Sequence, residues 1–78
     1  MEMKLKIAEV VKDLKDFNVV VVDMVDTRGQ MIATMQKGDF EKVKDGQEFT
    51  ARIKFKIAIK EVEKGYFKKI QRISIHLL

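Results

Sequence analysis

Apolar and polar side chains alternate most regularly between residues 49 and 60. The odd positions carry Phe49, Ala51, Ile53, Phe55, Ile57 and Ile59. The even positions carry Thr50, Arg52, Lys54, Lys56, Ala58 and Lys60. Because successive side chains of a β-strand point to opposite faces, this pattern predicts a long strand with one apolar and one basic face. We expect Phe49 and Phe55, on the apolar face, to lie in the core.

A second alternating segment follows in residues 66–78. Its alternating apolar residues are Ile73, Ile75 and Leu77. Ile70 is out of phase with them, and a β-bulge near Gln71 and Arg72 would restore the phase. Gly65 separates the two alternating segments, which predicts that they form an antiparallel hairpin.

Two further apolar segments precede these strands. Residues 19–25 are apolar on both faces, which predicts a buried or strongly curved strand. Residues 30–36 are shorter and mixed in character, and they fit the hairpin partner of that strand. The sequence between them, Asp26-Thr27-Arg28-Gly29, predicts a tight turn.

The glycines fall between the predicted elements. They are Gly29, Gly38, Gly46 and Gly65, and Gly46 stands in the sequence Lys44-Asp45-Gly46-Gln47. We expect these corners to use the positive φ angles that glycine adopts without steric penalty. Residues 39–45 are too few for a long helix. We expect Asp39 to cap one or two helical turns with Phe40 and Val43 on one face.

The N-terminal segment fits two periods. Met3, Leu5 and Ile7 alternate with Glu2, Lys4 and Lys6, as in a strand. Ile7, Val10, Val11 and Leu14 also have the spacing of a helix face. We predict a strand over residues 3–10, and the alternative is a helix over residues 5–16.

The predicted order is three strands, a short helix and two strands. This is the order of the OB fold, a five-stranded Greek-key barrel. The predicted fold class is therefore all-β with one short helix, as an OB-fold-like Greek-key barrel. The alternative is an α+β arrangement in which an N-terminal helix packs on a four-stranded antiparallel sheet. In the barrel, Phe17 and Phe40 are expected to cover the ends of the core.

Residues 22–35, VDMVDTRGQMIATM, resemble the second and third strands of replication protein A-like OB-fold single-stranded-DNA-binding domains. In that family an apolar strand ends in an acidic residue and a glycine-containing turn, and an Ile/Ala/Thr strand follows. A short acidic and lysine-containing helix and a glycine before the fourth strand come next, and here residues 39–43 and Asp45-Gly46 fit them. The resemblance covers residues 17–77 and implies binding of single-stranded DNA.

The chain departs from that family in two ways. The first strand and the loop after it are shorter than usual in the family. The family also presents two separated aromatic side chains for base stacking. Phe67 matches one of them, whereas the other falls near Val20, which cannot stack. The resemblance therefore implies weak binding, or binding with the help of further copies or domains.

Length and composition limit the classes of protein. The chain has 78 residues, one histidine and no cysteine. This length predicts a single OB-like domain over residues 1–78. Without cysteine, neither a disulfide nor a cysteine-based zinc site can form. No apolar run approaches the ~20 residues of a membrane-spanning helix. The N-terminus also lacks the pattern of a secretory signal, so we expect a cytoplasmic protein without a membrane partner.

Charge is distributed unevenly along the chain. Residues 1–48 hold eight Lys/Arg and ten Asp/Glu, or −2, and residues 49–78 hold eight Lys/Arg and two Asp/Glu, or +6. Such an asymmetry favours a polyanionic partner for the C-terminal part. The alternative is that the lysines keep strands soluble and prevent edge-to-edge pairing.

Catalysis is not expected. His76 and Ser74 lie two apart on a strand, where they share a face, but no orienting acid follows nearby. Asp23 and Asp26 are too few oxygen ligands to indicate a cation site. No glycine-rich phosphate loop occurs, and we expect no cofactor and no metal.

The residues that favour nucleic-acid binding are basic or aromatic, and all except Arg28 lie in the C-terminal strands. They are Arg28, Arg52, Lys54, Lys56, Lys60, Tyr66, Phe67, Lys68, Lys69 and Arg72. Basic residues on a sheet would contact phosphates, and Tyr66 or Phe67 would stack on bases. OB folds, however, bind ligands mainly on the second and third strands. That face would be lined by Val19, Val21, Thr34 and Gln36, which carry little charge.

The leading hypothesis is a small domain that binds single-stranded nucleic acid, DNA ahead of RNA, without strict sequence preference. The alternatives are a protein-interaction module, which binds other subunits or itself, and a designed scaffold without an evolved ligand. Met31 and Met35 are the residues that favour a protein partner, because flexible methionines suit adaptable surfaces.

Overall fold

A computed structural model describes residues 1–43 and 46–78 of the chain. The elements are β1 (Glu2–Asp13), β2 (Phe17–Met24), β3 (Gly29–Gln36), α1 (Lys37–Glu41), β4 (Phe49–Glu63) and β5 (Tyr66–Leu77). Among the described residues, no helix has the length and apolar character needed to cross a membrane.

The five strands form one sheet that closes on itself in the order β1-β2-β3-β5-β4. All neighbouring strands are antiparallel except β3 and β5, which are parallel and pair only through Thr34↔Ser74 and Met35↔Ile75. The predicted fold class, all-β with one short helix in an OB-fold-like arrangement, is confirmed. The α+β alternative is wrong, because residues 5–13 of the segment proposed as a helix belong to β1 and pair with β2, and Leu5 also pairs with β4.

Two irregularities in β1 explain why its sequence also fits a helix. The register of β1 against β2 shifts between Ile7 and Glu9 and again between Val10 and Lys12. Each shift inserts one extra residue into the strand and so moves the apolar positions by one. Ile7 and Val10 therefore share a face although they are three residues apart. The strand runs from Glu2 to Asp13, longer than the predicted 3–10.

The core lies inside the ring and is thin. The buried apolar side chains are Leu5, Val20, Val22, Ala33, Met35, Ala51, Ile53 and Ile75. Met35 pairs with Ile75 on β5, and Ile75 pairs with Ile53 on β4. This row joins three strands through side chains that are at most 3% exposed, and it includes the parallel pairing of β3 with β5.

The short helix α1 corrects one prediction and confirms another. It begins at Lys37 after Gln36, whose side chain makes no capping hydrogen bond. Asp39 is therefore not the cap. Its Oδ2 accepts a hydrogen bond from the backbone N–H of Leu77 at 3.3 Å. The predicted common face is confirmed, since Phe40 and Val43 both pack against the core.

The turn between β2 and β3 uses an arginine where a glycine was expected. Arg28 has φ +58, whereas Gly29 is not among the residues with positive φ. Gly29 starts β3, and a Cβ there would lie 2.7 Å from Cε of Met24. Because Cε is the flexible end of the Met24 side chain and can move aside, close packing does not by itself require glycine at position 29. The left-handed residue before it, Arg28, is strained.

The remaining glycines divide into two groups. Gly46 and Gly65 have φ +75 and +85, as expected for corners. Gly38 does not have positive φ and lies inside α1. Of the predicted corner at Lys44-Asp45-Gly46-Gln47, Lys44 and Asp45 lie outside the described residues.

The hairpin of β4 and β5 is more regular than predicted. Its register is continuous from Ala51↔Leu77 to Glu61↔Phe67 and shifts only between Glu61 and Glu63. No bulge occurs at Gln71 and Arg72, so that prediction is wrong. Ile70 instead lies on the face opposite to that of Ile73, beside Ala58.

The placement of the two hairpin phenylalanines differs. Phe49 packs against the core as predicted. Phe55 is 51% exposed, because β4 continues beyond the end of the ring, and its assignment to the core is wrong.

Within the part of the chain that the structure describes, Asn18 is the buried polar residue of the core, at 2% exposure, and its Oδ1 has no hydrogen-bond partner. An unsatisfied buried acceptor costs about 1–3 kcal/mol. We expect Asn18→Leu, which is similar in size, to raise the free energy of unfolding by about 1 kcal/mol, measured by urea denaturation. Asn18→Asp is the control and should destabilise, because it buries a charge. A clear loss of stability in Asn18→Leu would show that the amide has a partner in solution.

Candidate functional site

A groove of about 350 Å³ lies on the outer face of β2 and β3. One side is formed by the end of β1, the following turn and the start of β2, and the other side by β5. The lining residues are Lys12, Leu14, Phe17, Val19, Ile32, Ala33, Thr34, Gln71, Arg72 and Ile73. The floor is apolar, and Lys12 and Arg72 stand on opposite sides. This is the strand 2–3 surface on which OB folds bind oligonucleotides and oligosaccharides.

The strand register connects this groove to the hairpin. Directly paired residues share a face of a sheet. Val19 pairs with Thr34, Thr34 with Ser74, and Ser74 with Lys54. Lys12 pairs with Val19 on the other side. One row of outward side chains therefore crosses all five strands, with a lysine at each end. The outer face of the hairpin is continuous with the face that carries the groove.

The outer face of the hairpin carries six cations, which we call the basic face. They are Arg52, Lys54, Lys56 and Lys60 on β4, and Lys68 and Arg72 on β5. Arg52, Lys54 and Lys56 are two residues apart, which spaces them ~6.5–7 Å along the strand. Lys56 and Lys60, like Lys68 and Arg72, are four residues apart, or ~13–14 Å. All six residues are exposed. No acidic residue belongs to this face of the two strands between Arg52 and Lys68.

Like charges are placed directly opposite each other on the basic face. Lys56 pairs with Arg72, and Lys60 pairs with Lys68. Like charges in such positions destabilise a sheet. Within residues 1–43 and 46–78, the ion pairs are Lys37 with Asp13 and Arg52 with Glu2, the latter at 4.0 Å. Both cross-strand cation pairs therefore lack a carboxylate within 4.0 Å among the described residues, and a bound anion would relieve their repulsion.

Two of the predicted binding residues lie on the other face of the hairpin. Lys69 pairs with Ile59, and Phe67 pairs with Glu61. Both therefore face away from the basic face. Tyr66 is 70% exposed beside the turn at Gly65. Arg28 lies apart from all of these, in a second depression that it lines with Asp23 and Glu48.

Among the groove residues that the sequence did not single out for binding are one cation and one aromatic residue. Lys12 and Phe17 both line the groove, and Phe17 is 38% exposed. Phe17 was expected to cover an end of the core. Phe17 has the same odd-numbered spacing on β2 as Val19 and Val21, which indicates that its side chain points outward. Only the fold shows that a groove lies there. Val20, where the resemblance places a second stacking aromatic, is fully buried.

The residues expected on the strand 2–3 face are partly confirmed. Val19 and Thr34 line the groove. Val21 and Gln36 share their face by register but are not among the lining residues. Thr34 Oγ1 donates a hydrogen bond to the carbonyl oxygen of Ile73 at 3.4 Å, which ties the groove floor to β5.

The chemistry-bearing residues outside this surface are few. Asp23 accepts a hydrogen bond from Nε2 of Gln30 at 2.8 Å, across the β2–β3 pair. Ser74 and His76 share the outer face of β5, opposite Lys54 and Arg52. In the part of the chain that the structure describes, no three His, Cys, Asp or Glu residues are grouped so as to hold a metal ion.

Comparisons with known proteins give no relative: no family model matches the chain, and no similar protein was found among the curated proteins or the solved structures.

Proposed function

We propose that this domain binds single-stranded nucleic acid, DNA or RNA, without strict sequence preference. The observation that carries the proposal is the two directly opposed cation pairs on the basic face, Lys56↔Arg72 and Lys60↔Lys68. Neither has a carboxylate within 4.0 Å among residues 1–43 and 46–78, and both lie on the same outer surface as the groove. A positively charged groove that follows a backbone, with an aromatic side chain for base stacking, is the usual design for such binding. The resemblance of residues 22–35 to replication protein A-like domains supports the same function.

The two parts of the surface have different roles. The cations of the basic face contact phosphates, and Arg72 belongs both to this face and to the groove. The groove accepts a base, with Phe17 as the stacking partner over an apolar floor of Val19 and Ile32. Base–aromatic stacking contributes about 1–3 kcal/mol per base. With one aromatic in the groove, we expect modest affinity.

A single strand suits this surface better than a duplex. An isolated base reaches a hydrophobic groove only when it is not already paired and stacked. The cations also lie along a ribbon only two strands wide, and this width suits the sugar-phosphate backbone of a single nucleic-acid strand. A cytoplasmic location, expected from the sequence, belongs to this proposal.

Fluorescence anisotropy with labelled oligothymidine and oligouridine of about 12 nucleotides tests the proposal. We expect binding at tens of micromolar protein in low salt. The logarithm of the affinity should fall with the logarithm of the salt concentration, by about 0.7 for each phosphate contact on a single strand. No change in anisotropy at about 100 μM protein and about 50 mM salt would contradict the proposal.

A matched probe separates base binding from general attraction to polyanions. An oligonucleotide of the same length that consists of abasic sites keeps the phosphates and removes the bases. We expect it to bind at least about fivefold more weakly than oligothymidine, since it loses one stacking contact. Equal affinity for the two probes would contradict a role of the groove.

A further inference from the structure

The hairpin extends beyond the ring as a two-stranded arm. β4 pairs with β1 only between Phe49 and Arg52, and β5 pairs with β3 only at Ser74 and Ile75. The two strands nevertheless remain paired with each other as far as Glu63↔Tyr66. Residues 55–73, which we call the arm, therefore have no third strand beside them. The molecule is correspondingly elongated, with extents of 45 × 29 × 19 Å.

The arm carries an exposed apolar face. Ala51 and Ile53 of β4 are buried in the ring, and Phe55, Ile57 and Ile59 continue the same face outside it. Phe67 lies on this face from β5, opposite Glu61. Phe55, Ile57, Ile59 and Phe67 are 51%, 57%, 73% and 67% exposed. We call these four residues the apolar face.

The apolar face is unfavourable in water. A two-stranded hairpin is at best marginally stable unless a further strand or layer covers it. A fully covered phenylalanine buries ~150–250 Å², and the arm leaves two phenylalanines at least half exposed. Contiguous apolar patches of this kind mark interaction sites. The basic face lies on the opposite side of the same ribbon, so nucleic acid bound there leaves the apolar face uncovered.

We infer that the arm packs against the arm of a second copy of this chain, apolar face to apolar face, about a two-fold axis. The two ribbons then form a four-stranded sandwich, with the layers ~10 Å apart as in other packed sheets. In such an isologous contact each copy uses the same patch. The contact covers roughly 600 Å² on each copy, which places it among small, reversible interfaces.

Charge favours a second copy over other occupants. The charged residues on this side of the arm are Glu61 on β4 and Lys69 on β5, which pair with Phe67 and Ile59 and whose charges cancel. Two such faces approach without net repulsion, whereas two basic faces would repel strongly. An anionic membrane or an acidic protein would be attracted to the basic face, on the wrong side of the ribbon. The dimer keeps both basic faces outward and free for nucleic acid.

Sedimentation velocity of the full chain over a concentration series tests the dimer. We expect a reversible shift from a 9.1 kDa monomer towards twice that mass between about 10 μM and about 0.5 mM. The double substitution Ile57→Thr with Ile59→Thr keeps β-branched residues in the strand and removes apolar surface. It should raise the dissociation constant at least about tenfold. Ala58→Thr, on the opposite face of the same strand, is the matched control and should leave the constant within about twofold.

Two further measurements, of folding and of salt dependence, separate a loss of dimerisation from misfolding and from a loss of oligonucleotide binding. Circular dichroism of each variant at low concentration should show an unchanged strand content, because the substituted side chains lie outside the core. Higher salt should preserve or strengthen the dimer and weaken oligonucleotide binding, so failure of one proposal is distinct from failure of the other. A chain that stays monomeric at about 0.5 mM overturns the inference. Equal weakening by Ala58→Thr also overturns it, as does a monomer that binds phosphatidylserine-containing vesicles through Ile57 and Ile59.

Discussion

Replacing Lys56 and Arg72 together by glutamine is expected to weaken binding of oligothymidine about 10- to 100-fold at low salt. The two side chains lie directly opposite each other on the basic face, and Arg72 also lines the groove. Each lost phosphate contact removes about 0.7 from the slope of log affinity against log salt, so the pair should lower the slope by about 1.4. Anisotropy titrations at several salt concentrations measure both quantities.

The control for this prediction changes the net charge equally at other positions. Lys4 on β1 and Lys42 after α1 are exposed and belong to neither the groove nor the basic face. Lys4→Gln with Lys42→Gln should leave the slope of log affinity against log salt unchanged. It should weaken oligothymidine binding only slightly, because the net positive charge of the domain is lower. If both double variants lose the same affinity, binding depends on net charge, and the placement of the site on the hairpin is wrong.

Ile75→Ala is expected to destabilise the fold by about 2–5 kcal/mol, which is the usual range for truncating a buried isoleucine. Ile75 is 1% exposed and pairs with both Met35 and Ile53, so its side chain joins β3, β5 and β4. β3 and β5 meet through only two residue pairs, and the truncation weakens one of them directly. Small domains have a total stability of about 5–15 kcal/mol, so this loss is a large fraction of it.

Urea denaturation at low protein concentration measures this effect apart from self-association. Ile32→Ala removes the same atoms from a side chain that is 62% exposed and serves as the control. It should cost less than about 1 kcal/mol. A loss below about 1 kcal/mol in Ile75→Ala would contradict the role assigned to the row through Met35, Ile75 and Ile53.

The order of strands and helix along the chain could be predicted from the sequence, because period-two patterns dominate it. The N-terminal strand was the difficult case. Its two register shifts give Ile7 and Val10 the three-residue spacing that a helix would also show. A single sequence cannot separate a bulged strand from a short helix by spacing alone, since both move apolar residues by one position. The pairing with β2 and β4 decides between them.

The extent of burial could not be predicted from the same pattern. Alternation along β4 is uninterrupted from Phe49 to Ile59, yet only the part beside β1 lies in the ring. Periodicity reports which residues share a face and carries no information on what covers that face. Phe55 was therefore assigned to the core, although it belongs to the exposed apolar face of the arm.

The sequence predicted which strands carry the cations of the candidate site, but it did not predict the groove beside them. The cations of β4 follow from alternation, but the partners on β5 depend on the register. Without the expected bulge, Arg72 and Lys68 join the basic face and Lys69 leaves it. The groove depends on β1, β2, β3 and β5 together, so Lys12 and Phe17 could be recognised only once the sheet had closed.

Methyl NMR spectra recorded during titration with oligothymidine locate the bound strand on the domain, because methyl groups report on each face separately. At protein concentrations where the chain is monomeric, we predict shifts for Val19 and Ile32 in the groove and for Ile70 beside the cations of the basic face. Ile57 and Ile59, on the opposite side of the arm, should not shift. Shifts at Ile57 and Ile59 with Val19 and Ile32 unchanged would contradict the proposed binding surface.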